Sequence, residues 1–109
     1  MTVTKLAQPV ANYIAAANAQ DIAAVTACFG KTAVVHDEKH ERRGIAAIRE
    51  WAVEVSEKYQ PTVEVLGVVE RDGWAIVMGR VSGNFPGSPV ELRYAFTLTG
   101  GRIDRLEIA

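Results

Sequence analysis

The spacing of apolar residues changes halfway along the chain, at Pro61, and this change limits the folds that are open to it. Before Pro61, apolar residues recur every three or four positions, as in helices that bury one face. After Pro61 they alternate with polar residues, as in strands that bury one face. Helices grouped apart from a run of strands indicate an α+β fold with a mostly antiparallel sheet.

The first helix is predicted to begin near Pro9, or near Thr4 with a kink at Pro9. Its apolar residues, which recur at helical spacing, are Val10, Tyr13, Ile14 and Ala17. Pro9 suits the first turn of this helix, because a backbone N–H at that position has no helical partner to lose. Tyr13 is therefore expected on the face that the helix buries.

A second, short helix is predicted after Asp21, whose carboxylate is a plausible N-cap. Its apolar residues are Ile22, Val25 and Phe29. Gly30 is expected to end it in a left-handed conformation. Residues 33–37 then form a short strand, and the polar residues 38–43 form a turn or a sheet edge.

A third helix is predicted from Gly44 to just before Pro61, which stops it. Its buried face consists of Ile45, Ile48, Ala52, Val55 and Tyr59. The predicted strands that follow cover 62–69, 74–82, 90–99 and 102–108. Asp72-Gly73 and Gly100-Gly101 carry the residue types of tight hairpin turns between them.

A strongly curved sheet with a helix laid across it encloses a cavity between the two layers. Such a cavity, with apolar walls and a few inward polar groups, is the expected ligand site. The 109 residues suit one domain over 1–109. We therefore expect a single α+β domain that holds a small apolar or aromatic molecule.

Charge and cysteine usage exclude several other classes of protein. The net charge is −1 and the basic residues are scattered, which argues against a nucleic-acid partner. The apolar run over 10–19 is broken by Asn12 and Asn18 and is too short to span a membrane. The lone Cys28 is expected to be a small buried residue. With no secretory signal, a cytoplasmic location is expected.

Three segments carry a resemblance to a known family: YIAAANAQDI over 13–22, AVVHD over 33–37 and RGIAAIREW over 43–51. They resemble the nuclear transport factor 2-like superfamily, in particular its ketosteroid isomerase and SnoaL-like polyketide cyclase branches. The resemblance implies a cone-shaped, mostly antiparallel sheet packed on three helices. It also implies a homodimer formed through the outer sheet face.

The resemblance also implies roles for two residues. In ketosteroid isomerases, a tyrosine on the first helix stabilises an enolate oxygen and an aspartate at the end of the first strand moves the proton. These positions fall on Tyr13 and Asp37. A second, protonated aspartate that completes the isomerase oxyanion hole corresponds here to Leu92. Loss of one such donor typically reduces the rate on the order of a hundredfold, so efficient steroid isomerisation is not expected.

The residues alone leave alternatives open at both positions. Asp37 is also compatible with a turn-forming aspartate, and a bulge would bring His36 inward in its place. Tyr13 is also compatible with a core tyrosine. A metal site around His36 and His40 is not favoured, because strand residues four apart lie too far from each other to share one tetrahedral ion.

The large side chains available for a cavity wall are Trp51, Tyr59, Trp74, Met78, Tyr94 and Phe96, with Leu92 beside them. Alternation along the strands places Tyr94, Phe96 and Leu92 on one face. Arg80 shares a face with Met78, and is expected either inside the cavity beside Asp37 or at its rim. The loop tip Phe85-Pro86-Gly87 is expected to cover the cavity mouth or to contact a partner.

Three functions are compatible with this pattern. The first is a cofactor-free isomerase or cyclase in which Asp37 removes a proton next to a carbonyl and Tyr13 stabilises the oxyanion. The second is a pocket that binds a hydrophobic ligand, or a dimerising module, without catalysis, which the apolar Leu92 favours. The third is an epoxide or lactone hydrolase that uses Asp37 and Arg80 around a water.

Overall fold

The computed structural model describes residues 6–109, which form three helices and six strands. In chain order these elements are α1 (Gln8–Asn18), α2 (Ile22–Ala27), β1 (Phe29–Asp37), β2 (His40–Arg43), α3 (Gly44–Tyr59), β3 (Thr62–Arg71), β4 (Trp74–Ser82), β5 (Val90–Thr99) and β6 (Arg102–Ile108). The predicted α+β order, with helices in the first half and strands in the second, is confirmed.

The strands of the described residues form one open sheet in the order β2-β1-β6-β5-β4-β3. The pairs β1–β2, β3–β4, β4–β5 and β5–β6 are antiparallel, whereas β1 and β6 run parallel. β1 thereby comes to lie beside the last strand of the chain. The end of β1, where Asp37 lies, is joined to the sheet through β6.

The hairpin turns form where the sequence predicts them. Asp72 and Gly73 both have positive φ, at 53° and 83°, and Gly100 and Gly101 have φ of 58° and 78°. Paired positive φ values give the turn whose twist matches two antiparallel strands. The predicted bounds of β4, β5 and β6 are confirmed for this reason.

The cap at Asp21 is confirmed, since its Oδ1 accepts the Ala24 N–H at 3.1 Å. The prediction that Gly30 ends the second helix is wrong. α2 ends at Ala27 and Gly30 lies inside β1. Phe29 is 1% exposed and pairs with Ile103 of β6. Burial of this ring against the sheet begins the strand earlier than the local sequence signals indicate.

The three helices cover the inner face of the sheet. This face is built by the alternate residues of β4 and β5 that pair across the strands, Val77 with Tyr94 and Ala75 with Phe96. The end of α1 is fixed to β3 by Asn18. Its Oδ1 accepts the Val63 N–H at 2.7 Å, and its Nδ2–H donates to the Val63 carbonyl at 3.0 Å. The core lies between these two layers.

The outer face of the sheet exposes large apolar side chains. Leu66 is 42% exposed, Val69 is 56% exposed and Met78 is 37% exposed. Val69 pairs with Ile76 on the neighbouring strand, so these side chains share one surface. Among residues 6–109, no helix combines the length and hydropathy that a membrane crossing requires.

Candidate functional site

Tyr13 lies under the sheet at the centre of the inner layer. It is 4% exposed, and its ring meets the rings of Phe29 and Phe96 edge-on, with centroids 5.9 Å and 5.7 Å away. These contacts fix the ring because edge-to-face pairs favour one orientation. The first helix therefore presents the Tyr13 side chain toward β1 and β5 rather than toward solvent.

Tyr94 reaches the same layer from β5. It is 5% exposed and its ring is nearly parallel to that of Phe96, with an interplanar angle of 13° and a centroid distance of 6.5 Å. Gly79, on the neighbouring strand, leaves room for this ring. A Cβ at position 79 would lie 3.3 Å from Tyr94 Cε1 and 2.8 Å from Val63 Cγ1. A glycine inside a strand often marks such a close approach.

The hydroxyl groups of Tyr13 and Tyr94 make no hydrogen bond to another group of residues 6–109. Over the same residues, no polar side-chain atom is fully buried without a partner. Each hydroxyl oxygen therefore still touches open space, although the two side chains are almost completely buried. Two phenol groups are free to bind something that enters this layer.

Asp37 is the last residue of β1 and is half-buried. The indole Nε1–H of Trp51, on α3, donates to its Oδ2 at 3.0 Å. Val35, on the same face of β1, is completely buried in the core, and Asp37 lines a cavity that His36 does not line. The alternative left open by the sequence is thus decided in favour of Asp37 as the inward residue.

Burial shifts the ionisation of all three groups. Desolvation raises the pKa of Asp37, and the Trp51 hydrogen bond opposes that rise. Burial also raises the pKa of Tyr13 and of Tyr94, and the nearby Asp37 carboxylate raises both further. The two phenols consequently remain donors at physiological pH, and Asp37 is a stronger base than an exposed aspartate.

Two small cavities adjoin Tyr13 and Asp37, and Tyr94 lines neither of them. One, of about 40 Å³, is lined by Tyr13 and apolar residues of the three helices, and also by Gln20, Ser56 and Pro61. The other, of about 80 Å³, is lined by Asp37 and Tyr59 and by the charged residues Glu38, His40, Arg42, Glu54 and Lys58. Trp51 and Val55 line both cavities. These two side chains therefore form the partition between the tyrosine side and the aspartate side.

The loop after β4 packs on the Asp37 cavity. Phe85 meets the ring of Tyr59 edge-on at 5.9 Å, and the Asn84 N–H donates to the Tyr59 carbonyl at 2.7 Å. A Cβ at Gly83 would lie 2.7 Å from that carbonyl oxygen, so glycine is required for this approach. The apolar loop tip covers a wall residue of the cavity in the same chain.

The remaining predicted wall residues fall into two groups. Phe96 is completely buried, and Leu92 pairs with Gly79 on the same inner face. The prediction that Met78 lines the pocket is wrong, and of the two positions expected for Arg80 the one inside the cavity is wrong. Both residues lie on the outer face of β4, where Arg80 pairs with Glu64 at 3.4 Å in an exposed ion pair. The arginine beside Asp37 is Arg42, which Glu54 binds at 2.9 Å.

The sequence reasoning missed two features of the site. The sequence predicts Trp51 only as a wall residue of the cavity. A buried indole N–H needs an acceptor, however, and here the acceptor is the Asp37 carboxylate. Tyr94 is also predicted only as a wall residue. Gly79 on β4 is the sequence signal for the close approach of its ring. Among residues 6–109 no group of three potential ligands is placed to hold a metal ion.

Comparisons with known proteins agree with this architecture. Residues 10–106 match the family model described as a SnoaL-like domain. A proposed polyketide cyclase from Sinorhizobium meliloti is 39% identical, with a TM-score of 0.91 and 95% of each chain covered. No curated protein matches the sequence.

Two more distant structures share the fold. One, from Catenulispora acidiphila, has a ketosteroid isomerase-like fold and was solved in complex with trimethylamine. It is 13% identical, with a TM-score of 0.83, 96% of this chain covered and 86% of that one. The other is SalBIII, an epoxide hydrolase/cyclase-like enzyme of pyran ring formation in salinomycin. It is 23% identical, with a TM-score of 0.78, 93% of this chain covered and 86% of that one.

Proposed function

This chain belongs to the SnoaL-like domain family, and from that premise we propose that it binds a small apolar carbonyl compound between its helices and sheet and removes a proton from the carbon next to the carbonyl. Asp37 is the base and Tyr13 is the donor to the carbonyl oxygen. The proton transfer is the first step of both an isomerisation and a cyclisation. No cofactor is needed for it.

The step conserves atoms and electrons. The Asp37 carboxylate takes the proton, and the electron pair of the broken C–H bond becomes the new C=C bond of an enolate. The carbonyl oxygen becomes anionic and accepts a hydrogen bond from the Tyr13 hydroxyl. Return of the proton to another carbon gives an isomer, whereas attack of the enolate carbon on a second carbonyl gives a ring.

One observation carries the proposal. The Asp37 carboxylate accepts the Trp51 N–H, and burial raises its pKa. Its charge in turn raises the pKa of the buried Tyr13 phenol, which has no hydrogen-bond partner among residues 6–109. Enolisation requires a base of raised pKa and a fixed donor that both reach one ligand, and we propose that a ligand which displaces the Trp51 and Val55 partition meets both. A purely structural tyrosine in this layer would be expected to donate its hydroxyl to an acceptor of the protein.

The cavity volumes limit the substrate. Pockets for drug-sized ligands enclose about 300–1,000 Å³, whereas the cavities here hold about 40 and 80 Å³. A ligand that touches both Tyr13 and Asp37 must also displace the partition formed by Trp51 and Val55. We therefore propose a substrate about the size of a single ring rather than a steroid.

The direct test is exchange of α-protons for deuterium in small cyclic ketones, followed by NMR. The wild type is expected to accelerate exchange in cyclopentanone or cyclohexanone, and Asp37→Asn is expected to lose at least about a hundredfold of that acceleration. Tyr13→Phe is expected to lose about tenfold or more. Equal exchange with the wild type and with Asp37→Asn would reject the catalytic role and leave the passive hydrophobic pocket as the function.

A second candidate function follows from the arginine that the structure places beside Asp37. Arg42, Asp37 and Glu54 line the same 80 Å³ cavity, and Arg42 binds Glu54 there, so a water in it would meet two carboxylates and a guanidinium. Such a group could activate water toward an epoxide or a lactone. Hydrolysis of a small epoxide that is lost with Asp37→Asn and with Glu54→Gln, without any ketone exchange, would favour this function over proton transfer.

A further inference from the structure

A second phenol lies beside Tyr13, and the proposed function does not use it. Tyr94 comes from the sheet and Tyr13 from the first helix, yet both rings pack on the same residue, Phe96. Both side chains are at least 95% buried, and neither hydroxyl has a hydrogen-bond partner within residues 6–109. Two unpaired phenols that converge from different elements indicate a shared acceptor that is not part of the protein.

The local sequence is built around the Tyr94 ring. Gly79 on β4 leaves room for the ring, since a Cβ there would lie 3.3 Å from Tyr94 Cε1. Leu92, two residues earlier on the same face, contributes no polar atom. The hydroxyl of Tyr94 is therefore the donor that β5 directs into the inner layer.

We propose that Tyr94 is a second oxyanion donor, which binds the same ligand oxygen as Tyr13 and completes a two-phenol site for an enolate or phenolate oxygen. The inference rests on the proposed function, because it assigns Tyr94 to the oxygen that Tyr13 binds there. The effect of the Asp37 carboxylate on the pKa of both phenols agrees with a common location. Two donors fixed before the ligand binds stabilise developing charge without reorganisation.

The chemistry defines the ligand class. Two neutral phenol donors bind an anionic oxygen in preference to a neutral one, since hydrogen bonds to charged acceptors are about twice as strong as neutral ones. The ligand is thus a small enolate or phenolate rather than an alcohol or a neutral ether. Single-ring phenols of graded acidity are suitable probes, because their anions imitate an enolate oxygen on an apolar frame.

The experiment measures binding of 4-nitrophenol by its phenolate absorption in the wild type, Tyr13→Phe, Tyr94→Phe and the double variant. Each single substitution is expected to weaken binding about tenfold or more. The double variant is expected to lose less than the product of the two, because the donors share one acceptor. Thr97→Val removes a hydroxyl from the outer side of the same strand and is the matched control.

A fifth variant separates the hydroxyl from the ring. Gly79→Ala keeps the Tyr94 hydroxyl but crowds its ring at 3.3 Å and the Val63 side chain at 2.8 Å, and is expected to weaken 4-nitrophenol binding while Tyr13→Phe still weakens it further. Thermal unfolding of each variant checks that it is folded.

The outcomes separate the two proposals. Unchanged binding by folded Tyr94→Phe, with loss in Tyr13→Phe, would overturn the inference and leave the proposed function standing. Loss in both phenol variants without any Asp37-dependent ketone exchange would reject the catalysis and support the two-phenol site. Binding of 4-nitrophenol that neither substitution changes would overturn the inference and assign both rings to the core alone.

Discussion

The indole Nε1–H of Trp51 donates to Asp37 Oδ2 at 3.0 Å, and this bond joins the middle of α3 to the end of β1. It places a half-buried carboxylate at a fixed position between the helical layer and the sheet. It also opposes the rise in the pKa of Asp37 that burial causes. Trp51 is thus a positioning residue for the proposed base.

Replacement of Trp51 by phenylalanine should raise the pKa of Asp37 further. The charged carboxylate loses a donor while the ring that buries it is largely retained. The free energy of unfolding should fall by about 1 to 3 kcal/mol, the range for a hydrogen bond to a charged group. NMR titration of the Asp37 carboxyl carbon gives the pKa, and urea unfolding gives the stability.

The other tryptophan provides the control for this experiment. Trp74 lies on the outer face of β4, so Trp74→Phe should leave the titration of Asp37 unchanged. If Trp51→Phe titrates like the wild type, the hydrogen bond does not control the ionisation of Asp37. The proposed positioning role would then be wrong.

Asp37→Asn should change how stability depends on pH. The folded protein holds the Asp37 proton more tightly than the unfolded chain does, because its folded pKa is raised. Its contribution to stability is therefore full below the unfolded pKa, about 4, and is lost as the pH rises through the folded pKa. Asparagine has no such loss, so the variant should gain stability relative to the wild type as the pH rises across this window.

Urea midpoints measured from acid to neutral pH test this expectation. Asp104→Asn removes one carboxylate from an exposed site on β6 and reports the effect of net charge alone. Wild-type and Asp37→Asn midpoints that stay parallel over the whole range would contradict a raised pKa at Asp37.

The sequence predicts the strands better than the faces they present. The Asp72-Gly73 and Gly100-Gly101 turns fix where strands start and stop, because their positive φ values suit few other residues. Alternation along β4 then shows that Met78 and Arg80 share a face. It does not show which face is inner, and the outer one carries the larger side chains. The inner face has Gly79 instead, because the Tyr94 ring fills that space.

The site depends on contacts that no local pattern contains. Tyr13 and Asp37 are identified by resemblance, and in the structure they line two cavities that share the walls Trp51 and Val55. The Trp51–Asp37 bond depends on how α3 crosses β1, and the convergence of Tyr94 with Tyr13 depends on how β5 lies under α1. These distances are set by packing between residues far apart in the chain, so spacing alone does not predict them.

Asn18 is expected to be the most sensitive polar residue at the helix–sheet junction. Its side chain accepts from the Val63 N–H and donates to the Val63 carbonyl. These are the two hydrogen bonds that a neighbouring β-strand would make with the Val63 backbone. Asn18→Ala leaves both backbone groups without these partners and should lower the free energy of unfolding by about 2 to 4 kcal/mol. Asn18→Asp, which can still accept but not donate, should lose less at neutral pH. Equal losses in urea unfolding would contradict the two-bond account.

The homodimer implied by the family resemblance remains a prediction, and the outer face gives it a sharp test. Leu66, Val69 and Met78 are exposed there, and burial of such residues against a second copy would stabilise association. The wild type should sediment as a dimer, and Met78→Glu should shift it toward monomer by at least about tenfold in the dissociation constant. Ala46→Glu adds the same charge at an exposed position on α3 and should leave the dimer intact. Wild-type protein that sediments as a monomer at all concentrations would reject the dimer, and the exposed outer face would then belong to the monomer itself.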